Sequence, residues 1–462
     1  AVGWTLPAVD GPYWVAIHRN TTAAVATWTR RAGSHYLYQQ AAPQPAEPVE
    51  GLVVAQITVA GGVITTIYAI HPSRSPISAS MSLINVLEYG AKGDGITDDT
   101  AAIKAAIAAI PPIPGAQGGA GCLYFPLPQK VGGFYKISST LDFSNKFNTC
   151  MLSPAKFASD QHDDLTTHSA LFHWYGSTNE NVILLHDTHN MVLENISVNC
   201  RGIAGTRGLA YGKDATAASS VKFNRATGLE ISHCDIGIRL GDVAANGPDV
   251  ASNTFEDLYI HHNVTEGISQ NSGNAVTDLR GLTAQCNGTA PTGGRKGANI
   301  YAEGGMMTLY RYIATGEGAC KPTDGDIYLA SAGLAAFHPW SEVHGPFVTS
   351  AGSPKPPSVL VGVYHYTATM TDTLVPKSIV WATAGTLRIS GYFFTNIEVN
   401  AGTNSTVQDD GVNFYAGAQH DLAVVPTFTG SAIANQFAYM GFPGTAPRGR
   451  VALGRPPDTR IG

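Results

Sequence analysis

At 462 residues, with 51 Gly, 27 Pro and only 13% charged residues, the chain is rich in turns and poor in charge, which suits an all-β protein of more than one module. Its formal net charge of −6 excludes the basic patch that a nucleic-acid partner requires. No apolar run approaches the roughly 20 residues of a membrane span, and the start at Ala1, Val2, Gly3 and Trp4 shows no basic region leading into an apolar one, so neither a membrane anchor nor a signal peptide is expected.

Residues 1–75 read as a separate module. Trp4, Tyr13, Trp14, Trp28, Tyr36 and Tyr38 crowd into it, and the alternating runs Leu52 to Val59 and Val63 to Ile67 flank Gly61-Gly62 as a β-hairpin would. The stretch from Ala41 to Pro48, rich in Pro and Gln, reads as a loop. The module is similar to the small β-domains that open phage tail proteins, a resemblance that implies docking onto phage tail or baseplate proteins. Its residues alone fit a carbohydrate-binding or spacer domain as well. Prolines and serines from His71 onward mark the connection, and the linker is placed at 76–83.

The run from Ile84 to Ile110 joins a strand, a turn and a helix. Ile84 and Val86 read as extended, and Gly90, Gly93 and Gly95 supply positive-φ turns. Thr97 is the expected helix cap, with Asp98 and Asp99 in the first turn near the positive end of the helix dipole. Ile103, Ile107 and Ile110 form a narrow apolar stripe, and Pro111-Pro112 ends the helix. This segment resembles the pectate-lyase-like right-handed parallel β-helix family, as used in bacteriophage tailspikes, where such a helix plugs the end of the solenoid. The resemblance continues through Gly121 to Pro126 and Tyr135 to Leu141. It implies an all-β fold, a right-handed parallel β-helix capped by a short N-terminal α-helix and preceded by a small β-domain, assembled as a homotrimer.

Further along, Leu193 to Cys200, Leu229 to Cys234, Leu258 to Asn263 and Leu282 to Cys286 echo one another, each alternating apolar and polar residues. Units of this kind bury their apolar face only by stacking. The β-helix is therefore placed at 84–400, and 401–462 is read as a C-terminal cap or intersubunit segment. Cys122, Cys150, Cys200, Cys234, Cys286 and Cys320 lie far apart, with no CxxC pair and no short metal-ligand spacing, so no metal and no cofactor is expected. Without a signal peptide they are read as free thiols filling the core, with a disulfide ladder as the sharper alternative.

Hydrolysis of a polysaccharide needs two carboxylates about 5 to 9.5 Å apart, and neighbouring coils of a β-helix stack about 4.8 Å apart. The catalytic candidates on this ground are Glu230, Asp235, Glu256 and Asp257, with Asp278 and Glu317 nearby. Elimination needs a base and a cation instead, which His262, His233, Lys222 and Arg239 can supply. His233 and His262 hold equivalent places in successive echoes and can stack at a coil corner. His233, Glu303, Trp340 and Tyr364 are the substrate-binding candidates, and His338, His344 and Tyr366 can extend an aromatic platform for sugars. The motifs of polygalacturonases (Asn-Thr-Asp, Gly-His-Gly, Arg-Ile-Lys) are missing from the sequence, so no catalytic residue transfers by matching.

The expected function is a phage tailspike, part of the virion tail, that binds and depolymerises a bacterial surface polysaccharide, either capsule or O-antigen. Two alternatives stand beside it: a non-catalytic receptor-binding spike with a lectin-like β-helix, and an exported bacterial glycan-degrading enzyme.

Overall fold

The computed structural model describes residues 11–18, 34–39, 51–60, 63–69, 82–111, 121–128, 133–154, 171–212, 220–241, 249–272, 275–291, 294–316, 320–343, 345–351, 357–365, 377–381, 385–393, 396–400, 405–414, 427–429 and 433–435. The chain divides into two units, Ala1–Leu83 and Ile84–Gly462. The linker expected at 76–83 lies almost wholly outside the described residues.

The first unit holds a four-stranded antiparallel sheet of Gly11–His18, Ser34–Gln39, Gly51–Ala60 and Val63–Ala69, ordered second, first, third, fourth. Ala60 pairs with Val63 in the antiparallel register that the predicted hairpin requires, and Gly61-Gly62 lie outside the described residues.

The second unit is a right-handed parallel β-helix. One face is an 11-stranded sheet whose strands follow chain order from Leu141–Asp142 to Thr427–Thr429. Along it Ile183, Leu209, Ile238, Ile268, Ile300, Ile327, Val348 and Ile379 are successive register partners, all at 1% exposure or less. This aliphatic column is the backbone of the core, each fully buried side chain contributing roughly 1.5–3 kcal/mol.

The remaining strands form a 21-stranded sheet with a bend in each coil. Glu194, Thr227, Glu256, Arg280, Tyr310, Phe337 and Val361 are partners in successive coils. The residue after each of them, Asn195, Gly228, Asp257, Gly281, Arg311, His338 and Gly362 in turn, has a positive φ between 52° and 72°. Where this bend residue is glycine, the preceding coil's side chain leans into the space. A Cβ on Gly228 would lie 2.6 Å from Asn195 Oδ1, one on Gly281 2.9 Å from Asp257 Oδ1, and one on Gly362 2.6 Å from His338 Nδ1.

The N-terminal end is closed by α1 (Thr100–Ala108), which buries Ile103, Ala106 and Ile107 beside Val86 and Ile110. The helix starts two residues later than a Thr97 cap predicts, at Thr100 with Asp99 in the cap position. Asp94 takes up Thr97 through both the amide and the hydroxyl, and Asp98 accepts the Thr100 amide at 3.0 Å. Asp99, fully buried, folds back to accept the Lys92 and Gly93 amides at 2.6 and 3.1 Å, so it closes the glycine turn rather than serving the helix.

Two further expectations are corrected. The cysteines are not free: Cys122 bonds Cys150, Cys200 bonds Cys234 and Cys286 bonds Cys320, leaving no free cysteine among the described residues. Each pair spans 28 or 34 residues, about one coil, and a Cα separation of 4.4–4.7 Å between neighbouring coils is within disulfide reach. Parallel pairing also runs past residue 400. Gly385–Phe393 pairs with Ser405–Phe414, which pairs with Ile433–Asn435, so coils continue into the segment expected to be a cap. No helix among the described residues is long and apolar enough to cross a membrane.

Candidate active site

Beyond the bend, the 21-stranded sheet alternates in every coil. Ile231 and Ile260 point into the core, so Glu230 and Ser232, then Tyr259 and His261, stand on the opposite face. Register carries one outer row from Glu230 through Tyr259, Thr283, Ile313 and Trp340 to Tyr364. A parallel row runs from Ser232 through His261, Gln285 and Thr315 to Glu342.

The two rows meet in a chain of titratable groups. Glu230 Oε1 lies 3.3 Å from His261 Nε2, and His261 Nδ1 lies 2.9 Å from His262 Nδ1. A carboxylate only accepts, so Nε2 of His261 carries the proton, and in the neutral ring Nδ1 keeps the lone pair. His262 then donates from its own Nδ1, which leaves its lone pair on Nε2. The tautomers follow from the hydrogen-bond network. Packing locks the chain in place: the Tyr259 ring stacks on His261 at 4.2 Å, its hydroxyl donates to Gln285 Oε1 at 2.7 Å, and His233 stacks on His262 at 5.2 Å and 12°. His233 and His262 both have φ of 54°, so they do stack at a coil corner.

Glu230 and His261 are buried at 1% and 0% exposure, whereas Ile313 and Trp340, further along the row, are each 46% exposed. Trp340 lies 4.6 Å from Tyr364 at a tilt of 40° and donates to Glu342 Oε1 at 3.0 Å. A buried carboxylate–imidazole–imidazole chain and an open aromatic pair thus share one face.

The other sequence-predicted residues fall elsewhere. Glu256 lies on the far side of the bend in an exposed ion network, 2.5 Å from Arg225 and 3.7 Å from Arg280, and Arg280 also holds Asp278 at 2.6 Å. Asp257 and His338 are bend residues. Lys222 pairs with Asp249. Asp235 and Glu303 flank the 11-stranded sheet, Asp235 just before Ile236–Leu240 and Glu303 just after Ala298–Ala302. Asp235 accepts the Thr265 hydroxyl at 2.7 Å, beside a fully buried Glu266 that Arg295 grips with bonds of 2.9 and 2.6 Å. Burial holds Glu266 above the usual carboxylate range against the pull of Arg295. On this sheet Arg239, Ser269, Tyr301 and Tyr328 are successive partners, and burial, aided by the charge of Glu303, pushes the Tyr301 phenol up to about 12. Glu317, His344 and Tyr366 lie outside the described residues.

His261 is the residue that spacing missed in favour of His262. Period-2 counting from Ile260 places it on the outer face, opposite Ser232 and Gln285, and would have found it. Arg295 sits in a connection before its strand and carries no periodic signal.

Residues 83–290 match the family model described as "Rhamnogalacturonase A/epimerase, pectate lyase-like". The solenoid is a pectate-lyase-like β-helix. No curated protein matches the chain. Among solved structures, the ORF18 protein of Geobacillus virus E2 is similar at 14% identity, covering 84% of this chain and 69% of that one with a TM-score of 0.47. The A-module of the mannuronan C-5 epimerase AlgE6 of Azotobacter vinelandii is similar at 12% identity, covering 77% and 100% with a TM-score of 0.44. The DFA-IIIase of Arthrobacter chlorophenolicus A6 without its lid is similar at 14% identity, covering 78% and 100% with a TM-score of 0.35. At such identities and scores these likenesses assign no chemistry to the pectate-lyase-like coils here.

Proposed function

We propose that this chain is a bacteriophage tailspike whose β-helix binds and depolymerises a bacterial surface polysaccharide, with its N-terminal sheet as the docking module and a homotrimer as the working assembly. The observation that carries the enzymatic half is the Glu230, His261, His262 chain. The partner of Glu230 in that chain is an imidazole and not a second carboxylate, which favours proton abstraction over two-carboxylate hydrolysis. In this reading Nε2 of His262 takes the proton from the carbon beside a uronate carboxyl, and the bond from the adjacent carbon to the glycosidic oxygen breaks. A carbon–carbon double bond forms, and the leaving oxygen is protonated by water. His261 passes on the stabilisation that Glu230 gives to the resulting positive charge. Trp340 and Tyr364 stack on sugars further along the row.

Incubation with capsule or lipopolysaccharide of the host should yield unsaturated-uronate absorbance. New reducing ends without that absorbance would leave hydrolysis, and neither signal would leave a receptor-binding spike. The exposed pair of Trp340 and Ile313 beside buried acid–base groups favours that non-catalytic reading. Light scattering after size exclusion tests the trimer, and a monomer would remove it.

A further inference from the structure

The corner that carries His233 and His262 carries different chemistry in the next coil. Cys286, with φ of 54° like the two histidines, follows Gln285 at the equivalent position and is bonded to Cys320. One ring nitrogen of His262 and the sulfurs of Cys286 and Cys320 all lie within 4.8 Å of one another. A tetrahedral zinc ion would hold such atoms about 3.6 to 3.8 Å apart, a separation inside the 4.8 Å that bounds the set here.

While the disulfide is intact its sulfurs are poor ligands, since the thiolate is the donor that zinc prefers. A thiol reductant changes this: two electrons and two protons enter the sulfur–sulfur bond, two thiols form, and the reductant leaves as its own disulfide. Each thiol then gives up its proton on meeting the ion. The His262 ring is held in place by its contact with His261, which in turn meets Glu230. A metal-ligating histidine backed by a hydrogen-bond partner on its other nitrogen is the arrangement that raises ligand basicity and fixes the ring.

We propose that the reduced protein binds a zinc-class divalent ion between His262, Cys286 and Cys320, with water in the fourth position. The ligands are 24 and 34 residues apart in sequence, so only the coil register reveals them. The bound ion engages the same imidazole that acts as base in the proposed elimination, a consequence that rests on that catalytic reading, whereas the metal site does not.

The test titrates cobalt(II) into the full chain after phosphine reduction and buffer exchange, and reads the near-ultraviolet thiolate-to-cobalt band together with the visible bands of tetrahedral cobalt. One equivalent should bind to the reduced protein and none to the oxidised protein, zinc should displace it, and His262→Gln should weaken binding at least about tenfold. The double variant Cys286→Ser, Cys320→Ser should show no thiolate band. No band in the reduced wild type overturns the site, as does a band that survives the double variant, which would put the metal on the other cysteines. An unchanged affinity and spectrum in His262→Gln, whose folding is checked by circular dichroism, overturns it independently. None of these readouts depends on polysaccharide cleavage.

Discussion

Three aspartates of this chain show how environment sets the charge. Asp94 accepts bonds from the Ile96 and Thr97 amides and the Thr97 hydroxyl, and these hold its carboxyl down to about 2. Burial raises Asp99 despite its two amide bonds. Asp326, enclosed in the core, is pushed up to about 6 by burial, while Asn299, Ser341 and Tyr312 donate to it and pull the other way. One coil on from Ser341 lies His365, which burial pushes down to about 4. The two groups act on stability with opposite sign. A carboxyl raised in the fold withdraws stability as pH climbs from about 4 to 6, and a histidine lowered in the fold withdraws it as pH drops from about 6.5 to 4. Each effect is on the order of 3 kcal/mol, so they largely cancel in the wild type. Asp326→Asn should expose the histidine slope, with unfolding free energy rising between pH 4 and 6.5, and His365→Gln should expose the opposite slope. Parallel profiles for the two variants would refute the assignment. Glu230→Gln and His262→Gln should each lower kcat on the host glycan by about 10² to 10⁴, the usual weight of a general base, with little change in KM. An unaltered kcat would remove the proton chain from catalysis. Glu230, His233 and His262 were legible at this scale because the echoes align them, while Asp235 is close to His233 in sequence only. A strand and the corner after it turn the chain onto another sheet, and that rotation is invisible until the coils are drawn.

At the scale of elements, the hairpin around Gly61-Gly62 and the capping helix were readable because their signals are local. The helix starts two residues later than expected because Asp99, a plausible first-turn acid, is claimed by a turn six residues earlier in the chain. The first echo was aligned on Leu193, but Ser197 is the register partner of Glu230, so Ile196 and not Leu193 corresponds to Leu229. Inside the solenoid an amide ladder holds coils together: Asn287 Oδ1 accepts from the Asn263 amide and side chain at 3.1 and 2.8 Å, and its Nδ2 donates to Ile260 O and Asn299 Oδ1 at 2.9 and 2.8 Å. Truncating this fully buried side chain takes a partner from donors and acceptors on two coils. Asn287→Ala is therefore expected to cost about 3 kcal/mol or more, measurable as a lower denaturant midpoint. A midpoint equal to wild type would show that water replaces the ladder.

For the whole molecule, the cysteine pairs decide how far the coils can part. In the unfolded chain each bridge closes a loop of 28 or 34 residues, and the chain-entropy cost that it removes is about 3 to 4 kcal/mol per bridge. Reduction should lower the unfolding midpoint markedly without abolishing the fold, because the aliphatic column is independent of sulfur. An identical midpoint with and without reductant would mean that the bridges are absent in solution. The architecture as a whole was legible from one sixty-residue stretch and a set of imperfect echoes, whereas the bridges were not, since cysteines one coil apart look scattered to any reading by short spacing.

The bend row bears on how such a chain can change length. Asn195 beside Gly228, Asp257 beside Gly281 and His338 beside Gly362 are couples in which one coil supplies a side chain and the next supplies room. Excising residues 228–256 would set Asn195 against Asp257, two side chains contending for one space. Excising residues 228–280 would set Asn195 against Gly281 and keep the match. Between Asn195 and Gly281 the modular unit of growth or loss is a couplet of coils, and a lineage gaining or shedding length there is expected to do so two turns at a time, whereas Arg311 and His338 follow one another without an intervening glycine.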